Sequence, residues 1–268
     1  TQGYSSAASD VYKRQSLYRK LLSEKQRIAL HYALYKIEAA FLKGDRYECC
    51  CCGKSSRRFL SHGDKGPRKN IKCPHCLSLE RTRILCMYLR NEILDKTERP
   101  ISILHFAPVK GLKDFLKSSP HVSVYHDADI NPNVATYQCD ITQMPYADNT
   151  FDLIICSHVL YCVPEDEKGM QEIHRVLKPG GRALLVDTWL DGPTQDLSQL
   201  PASERKAISG DATSCRLYGR KDILETLHSY GLDGRIIDYT KQLSSEFIEK
   251  QSLHDAFDSE ILDCTKCS

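Results

Sequence analysis

The chain lacks several things that would place it quickly. No apolar run approaches the roughly 20 residues needed to cross a bilayer, so a membrane-spanning helix is not expected in its 268 residues. The opening segment, TQGYSSAASDVYKRQ, has no apolar stretch of the kind a secretory signal needs. It also begins without Met, and residues 1–15 are set aside as a non-native or disordered leader. There is no internal repeat and no low-complexity tract. The G-x-G-x-x-G fingerprint of nicotinamide-binding proteins is missing as well.

Cysteine, by contrast, is plentiful, at 13 residues. The spacing is not that of a secreted disulfide scaffold, and the chain is too long to need one. Cys139, Cys156 and Cys162 lie in or beside apolar runs and read as small buried hydrophobes. A reducing, cytoplasmic setting is expected. Net charge is only +2 but unevenly placed. Residues 1–100 carry 21 Lys and Arg against 10 Asp and Glu, whereas residues 101–268 carry 16 against 25. That split suggests two modules with different tasks.

The hydrophobic pattern divides the chain further. Leu17, Leu21, Leu22, Ile28, Leu30, Leu34, Ile37 and Phe41 recur at roughly helical spacing, which predicts a helix over 16–42 ended by Gly44. Residues 45–78 are rich in Cys, Gly, Lys and Arg and cannot build a core unaided. A connecting helix is expected at 79–95, within a linker of 79–98. From residue 99 onward strands and helices alternate, which argues for a parallel sheet with crossover helices. Strands are expected at 101–106, 122–128, 135–139, 152–158, 182–188, 234–239 and 260–265, and helices at about 111–118, 165–177 and 220–230. Residues 191–215 are polar and long for a loop, so a flap or insertion near the site is expected.

Within the second segment, Cys49, Cys52, Cys73 and Cys76 form C-x2-C-x20-C-x2-C. Two short hooks let four thiolates converge on one ion, the closed tetrahedral sulfur site that Zn2+ favours. Such a site has no open coordination position, so the zinc would be structural. His75 is an alternative ligand, and four unmetallated thiols are the plain alternative. Cys264 and Cys267 repeat the spacing but lack a second hook, and read as ordinary thiols.

The sheet's first strand ends in LHFAPVKGL. A strand, a tight turn and a helix start place backbone N–H groups at the carboxyl edge of the sheet, where open α/β sheets bind nucleotide-like ligands. Asp129 ends the second strand, 18 residues after Gly111, where a carboxylate can accept from both hydroxyls of a ribose. Asp140 follows the third strand and can meet an adenine amino group. Ser157 and His158 close the fourth at the same edge. Then EIHRVLKPGGRALLVDT gives a helix, a turn at Gly180–Gly181 and a fifth strand.

Residues 101–190 resemble class I S-adenosylmethionine-dependent methyltransferases of the "type 11" group, most specifically in FDLIICSHVL and RVLKPGG. The CxxCG hook, the CPHC-x-SLERTR stretch and SCRLYG extend the resemblance over about 45–266, to a bacterial subgroup with an N-terminal zinc-binding segment. It implies a Rossmann-like α/β fold: a seven-stranded, mostly parallel sheet with an antiparallel last strand, preceded by a helix and a zinc module. It implies S-adenosyl-L-methionine as cofactor, with His105, Ala107, Gly111, Asp129, Asp140, Ile141, Ser157 and His158 around it. Two departures stand out. The glycine-rich turn is His105 to Gly111 with one Gly kept, and has Val109 where an acidic residue is usual. Tyr161-Cys162 stands where Glu-His is common.

Methyl transfer from a sulfonium needs positioning more than acid–base chemistry. His158 is the best-placed base, with Asp187 and Tyr161 behind it; its alternative role is in packing or in the cofactor shell. Arg216 and Tyr218 either shape an acceptor pocket or simply pack. The acceptor is expected to be a small molecule, glycan or lipid-linked compound. Alternatives are RNA, gripped by the basic zinc module, and a binding protein that kept the fold and lost the chemistry. Residues 43–72 hold nine Lys and Arg against three Asp and Glu, but without the interleaved aromatics of a base-stacking surface.

Overall fold

A computed structural model describes residues 22–63, 67–254 and 259–267. The expected leader and residues 16–21 of the expected first helix lie outside the described residues. The helix itself, α1 (Glu24–Phe41), starts at a capping box: Ser23 Oγ accepts from Gln26 N–H, and Gln26 Oε1 accepts from Ser23 N–H at 2.8 Å. That box, rather than the apolar periodicity, sets the start.

The cysteine-rich segment folds into two short hairpins. β1 (Tyr47–Glu48) pairs with β2 (Ser55–Ser56), and β3 (Leu60–His62) with β4 (Arg68–Lys72), both antiparallel. Helix α2 (Glu80–Glu92) follows and ends three residues before the expected boundary, in a short 3-10 turn at Leu94–Lys96.

The remainder alternates: β5 (Ile101–Phe106), α3 (Lys110–Ser118), β6 (Val122–Asp129), β7 (Tyr137–Gln138), β8 (Phe151–Ser157), α4 (Asp166–Val176) and β9 (Leu177–Val186). Then come β10 (Trp189–Leu190), β11 (Gln195–Asp196), α5 (Ala202–Ser209), β12 (Arg216–Gly219), α6 (Arg220–Ser229), β13 (Leu232–Ile237), α7 (Ser245–Lys250) and β14 (Ile261–Lys266). Seven strands form one sheet in the order β7-β6-β5-β8-β9-β14-β13. The last strand, β14, runs antiparallel between β9 and β13. The others are parallel where they pair. This is the expected Rossmann-like sheet with its antiparallel last strand.

Alternation along the central strands splits the core into two faces. Ile103, Leu153, Ile155 and Leu184 pack with Ile84, Leu89, Leu112 and the cysteine module. Leu104, Phe106, Ile154 and Leu185 pack with Met170, Ile173, Ile223 and Leu227. β9 differs from expectation. It begins at Leu177, and the Gly180–Gly181 pair is a bulge inside the strand, where register against β8 shifts between Phe151 and Leu153. Gly180 sits at φ 70°, and a Cβ on Gly181 would meet Lys178 O at 2.8 Å. The strand also stops at Val186, two residues early. The polar stretch 191–215 is not featureless. β10 and β11 flank β12 in a small sheet, and Cys215 N–H donates to Tyr161 O at 2.7 Å, fastening the segment beside the end of β8. Among the described residues no helix is long and apolar enough to cross a membrane.

Arg83 ties the cysteine module to the segment that follows α7. Arg83, in α2, is completely buried. It donates to Ile71 O (3.0 Å), Ser78 O (2.8 Å), Gln251 O and Ser252 O (both 3.0 Å), with its guanidinium over the Phe59 ring. Four carbonyls from three segments thus replace the solvation of one buried cation. Arg83→Met keeps the volume and removes every donor, orphaning these carbonyls. It is expected to lower unfolding free energy by about 3 kcal/mol or more in urea melts, against under about 0.5 kcal/mol for the exposed Lys221→Ala. A cost for Arg83→Met as small as that of the surface variant would refute this role.

Candidate cofactor and acceptor cleft

β5, β6 and β8 deliver their carboxyl ends to a cleft of about 390 Å3, within the range of small-molecule sites. Ala107, Asp129, Asp140, Ile141 and His158 line it. Of the eight residues expected around a cofactor, the other three do not. His105 is buried beneath the cleft with Nδ1 2.8 Å from the Tyr125 hydroxyl. Its place in β5 turns it to the opposite face from Phe106. Gly111 faces the cysteine cluster, not the cleft: a Cβ there would lie 3.0 Å from Cys76 Sγ and 3.3 Å from Cys76 O. Ser157 is half-buried at the end of β8 and is not in the lining.

The lining is held by local hydrogen bonds. Asp129 Oδ1 accepts from Asn131 N–H at 2.8 Å, which holds the carboxylate at the rim. Asp140 Oδ1 accepts from the N–H and hydroxyl of Thr142, both at 2.8 Å. Ala107 (φ 47°) and His158 (φ 54°) both occupy left-handed backbone at strand ends. For residues with a Cβ that costs roughly 1–2 kcal/mol each, and such strain gathers at functional sites. Ala107 therefore takes a backbone shape suited to glycine in a turn that kept one.

His158 Nε2 is buried and has no hydrogen-bond partner among the described residues. Burial, reinforced by the charge of Arg81 and opposed by Asp211, lowers its pKa to about 4, so the ring is neutral near pH 7. Its edge-on neighbour, Tyr161, donates to Asp211 Oδ2 at 2.8 Å, and Cys162 Sγ lies 3.3 Å from Thr213 Oγ1. The segment 211–215 therefore braces the Tyr161-Cys162 pair. Arg216 and Tyr218 both grip the buried carboxylate of Asp166 at the start of α4, the hydroxyl of Tyr218 at 2.8 Å. They clamp the fold and do not line the cleft. Asp187 caps the end of β9 and accepts from Thr188 N–H at 2.9 Å.

Sequence reasoning passed over Asp127, the first acidic residue of HDADI. Burial would raise its pKa, but Lys113 and Thr136, whose N–H donates at 3.0 Å, hold it low. It fastens α3 to the loop beyond Asp129. Strand periodicity gives no signal that separates the two, since residues i and i+2 share a face; Asp127 is set apart only by its partners Lys113 and Thr136.

The second cluster is made of sulfur. The ligand atoms of Cys49, Cys52, Cys73 and Cys76 all lie within 4.8 Å of one another, with Cys49–Cys76 at 3.5 Å and Cys52–Cys73 at 3.9 Å. Ser78 Oγ lies 3.2 Å from the sulfurs of both Cys49 and Cys76. His75 instead places Nε2 3.1 Å from Ser56 Oγ. Cys264 is buried in β14, and Cys267 is exposed with its sulfur 3.2 Å from Asp233, so the tail hook does not close.

Residues 117–185 match a family model described as "Methyltransferase domain". A ubiquinone/menaquinone biosynthesis C-methyltransferase of Cellvibrio japonicus is 41% identical over 61 residues, 23% of this chain and 24% of that protein. The corresponding protein of Klebsiella pneumoniae is 46% identical over 55 residues, 20% of this chain and 22% of its own. The chain thus spans under a quarter of the length of these curated relatives. An S-adenosylmethionine-dependent methyltransferase structure from Mesorhizobium loti superposes with TM-score 0.47 at 12% identity, covering 68% of this chain and 97% of that one.

The two buried imidazoles make an acid-sensitive pair. Burial lowers the His105 pKa to about 3, against a smaller raising effect of Asp127. The unfolded chain therefore takes up protons near pH 6.5 that the folded chain refuses, so stability should fall as pH drops from 6.5 toward 4 and be insensitive to these rings above 6.5. His105→Gln should flatten urea-melt stability across pH 6.5–4.5 relative to wild type. An unchanged slope would rule out this cause.

Proposed function

We propose that the chain is an S-adenosylmethionine-dependent methyltransferase. One observation carries the reading: Ala107, Asp129, Asp140–Ile141 and His158, from four separate segments, meet in one cleft at the carboxyl edge of a parallel sheet. The match of residues 117–185 to a methyltransferase domain supports it. In this reading Asp129 accepts from the ribose hydroxyls, Asp140 and Ile141 flank the adenine, and the turn at Ala107 meets the methionine end. The cofactor, when bound, supplies an electrophilic methyl group. His158 Nε2 is the buried, unsatisfied atom able to take a hydrogen bond or a proton from a molecule in the cleft.

The acceptor reading is a small molecule, glycan or lipid-linked compound. It is supported by uncharged residues in the cleft lining (Val159, Val163, Pro164) and by the names of the curated relatives. A second reading, RNA, is supported by the excess of Lys and Arg in the cysteine module. The thirteen cysteines, none in a disulfide and four of them placed as metal ligands, fit a reducing cytoplasm.

The cysteine cluster completes the reading as a structural zinc site. Four sulfurs about 2.3 Å from a common ion would stand about 3.8 Å apart, and the Cys49–Cys76 and Cys52–Cys73 separations, 3.5 and 3.9 Å, bracket that spacing. One zinc per chain is expected by metal analysis, with Cys73→Ser losing both the metal and cooperative unfolding. Well under one equivalent, with no loss in the variant, would sink the assignment.

The cofactor assignment has its own test. A carboxylate making two charge-assisted hydrogen bonds to a diol contributes roughly 1.5–3 kcal/mol per bond. Asp129→Ala should therefore weaken S-adenosylmethionine binding by on the order of tenfold to several hundredfold in calorimetric titration, leaving the melting transition in place. Unchanged affinity would refute the role.

A further inference from the structure

The cysteine module carries a groove of about 660 Å3 between α1 and the two hairpins. Four cations line it: Arg46, Arg57, Arg58 and Lys69. All four are exposed, and none has an ion-pair partner among the described residues. Glu38 is the lone carboxylate in the lining. The floor is prebuilt. Arg57 N–H donates to Leu42 O at 2.9 Å, and Gly44 lies so close that a Cβ would meet Arg57 N at 2.8 Å. The end of α1 is thereby pinned to the strand connection that bears Arg57 and Arg58. Elsewhere on the surface, cations such as Arg99, Arg175 and Arg220 are matched by carboxylates. Concentrating unmatched positive charge in a concave site raises the local potential and selects for anions.

The aromatic side chains of the groove are not stacking platforms. Tyr47 and Phe59 are 8% and 2% exposed, and Tyr35 is occupied by His31 on its ring and by Lys72 Nζ at its hydroxyl, 3.0 Å away. The lining therefore recognises charge and offers no face to a base, which favours phosphate groups over a single-stranded nucleic acid. Its distance from the cleft adds a constraint. α1 begins beside the cofactor loop, where Glu24 accepts from Asn131 and Asn133 at 3.1 and 2.8 Å. Tyr35 and Glu38, further along the same helix, line the groove. At the rise of an α-helix the groove end of α1 lies roughly 17–21 Å from the end that meets the loop following Asp129.

We propose that this groove anchors the diphosphate of an extended acceptor, a glycan carried on a diphosphate, whose methylated end reaches the cleft. The inference rests on the methyltransferase reading and deepens its acceptor class. A single nucleotide-sugar is too short to bridge the two sites, so the anchored group and the reacting group are parted by several sugar units.

The test titrates the full purified chain with inorganic pyrophosphate and, separately, with S-adenosylmethionine. Pyrophosphate is expected to bind saturably at one site. The double variant Arg57→Ala/Arg58→Ala should weaken it by about tenfold or more, while its S-adenosylmethionine affinity and melting temperature stay at wild-type values. Absence of saturation, or equal affinity in the double variant, overturns the proposal. So does tight, salt-sensitive binding of a 20-nucleotide RNA that pyrophosphate does not displace, which would make the groove a nucleic-acid surface. Failure of S-adenosylmethionine to bind the wild type would strike the methyltransferase reading instead, so the two failures are distinguishable.

Discussion

The approach of Gly111 to Cys76 is the contact on which the rest of the arrangement turns. Helix α3 begins directly after the loop that lines the cleft, and its first turn rests on the sulfur cluster so closely that a Cβ on Gly111 would sit 3.0 Å from Cys76 Sγ, which would have to give by a few tenths of an ångström. The module is therefore not an appendage. Its sulfurs form the bed on which the loop at Ala107 is laid. A closed tetrahedral metal site is rigid in a way that a 30-residue segment poor in aliphatic side chains is not. Arg83 complements the same bed. With the proposed zinc bound, four thiolates would leave two units of negative charge there, and a fully buried guanidinium bonds to Ser78 O while Ser78 Oγ touches two of the sulfurs.

Electrostatics then separates the two ends of the molecule. The half from residue 101 onward is acidic, and carboxylates packed within it are committed: buried Asp127 to Lys113, half-buried Asp152 to Ser102 and Lys178, and buried Asp166 to Arg216 and Tyr218. Asp129 is different, being at the rim with only a backbone N–H from its own turn. The carboxylates that build the fold are matched by cations, and the two assigned to a ligand, Asp129 and Asp140, bond only to Asn131 and Thr142 of their own turns. The same contrast marks the imidazoles, since His105 has a hydroxyl partner and His158 Nε2 has none.

Much of this was legible in the sequence where physical periodicities are strong. The near-continuous apolar runs at 101–106 and 152–158 locate the central strands within a residue, and the paired CxxC hooks name four sulfurs that the fold brings together. What was not legible depends on which side of a strand or helix a residue faces. His105 and Gly111 belong to the right turn but point at the core and the cysteine cluster. The Gly-Gly pair reads as a turn because glycine permits either shape; only pairing with β8 makes it a bulge. Leu30, Leu34, Ile37 and Phe41 have helical spacing yet are 40–73% exposed, so the periodicity identifies the helix without saying what covers it. Arg83 resembles its neighbour Arg81 in sequence, and only the four converging carbonyls distinguish it.

The bed of sulfur and the cleft above it can be interrogated together by titrating one protein sample with S-adenosylmethionine before and after removal of its metal by a chelator. Saturable one-to-one binding is expected with the metal in place, and markedly weaker binding once it is gone, because the first turn of α3 loses its support. No binding in the metal-loaded protein, or equal affinity in both states, would contradict the dependence of the cofactor cleft on the cysteine cluster.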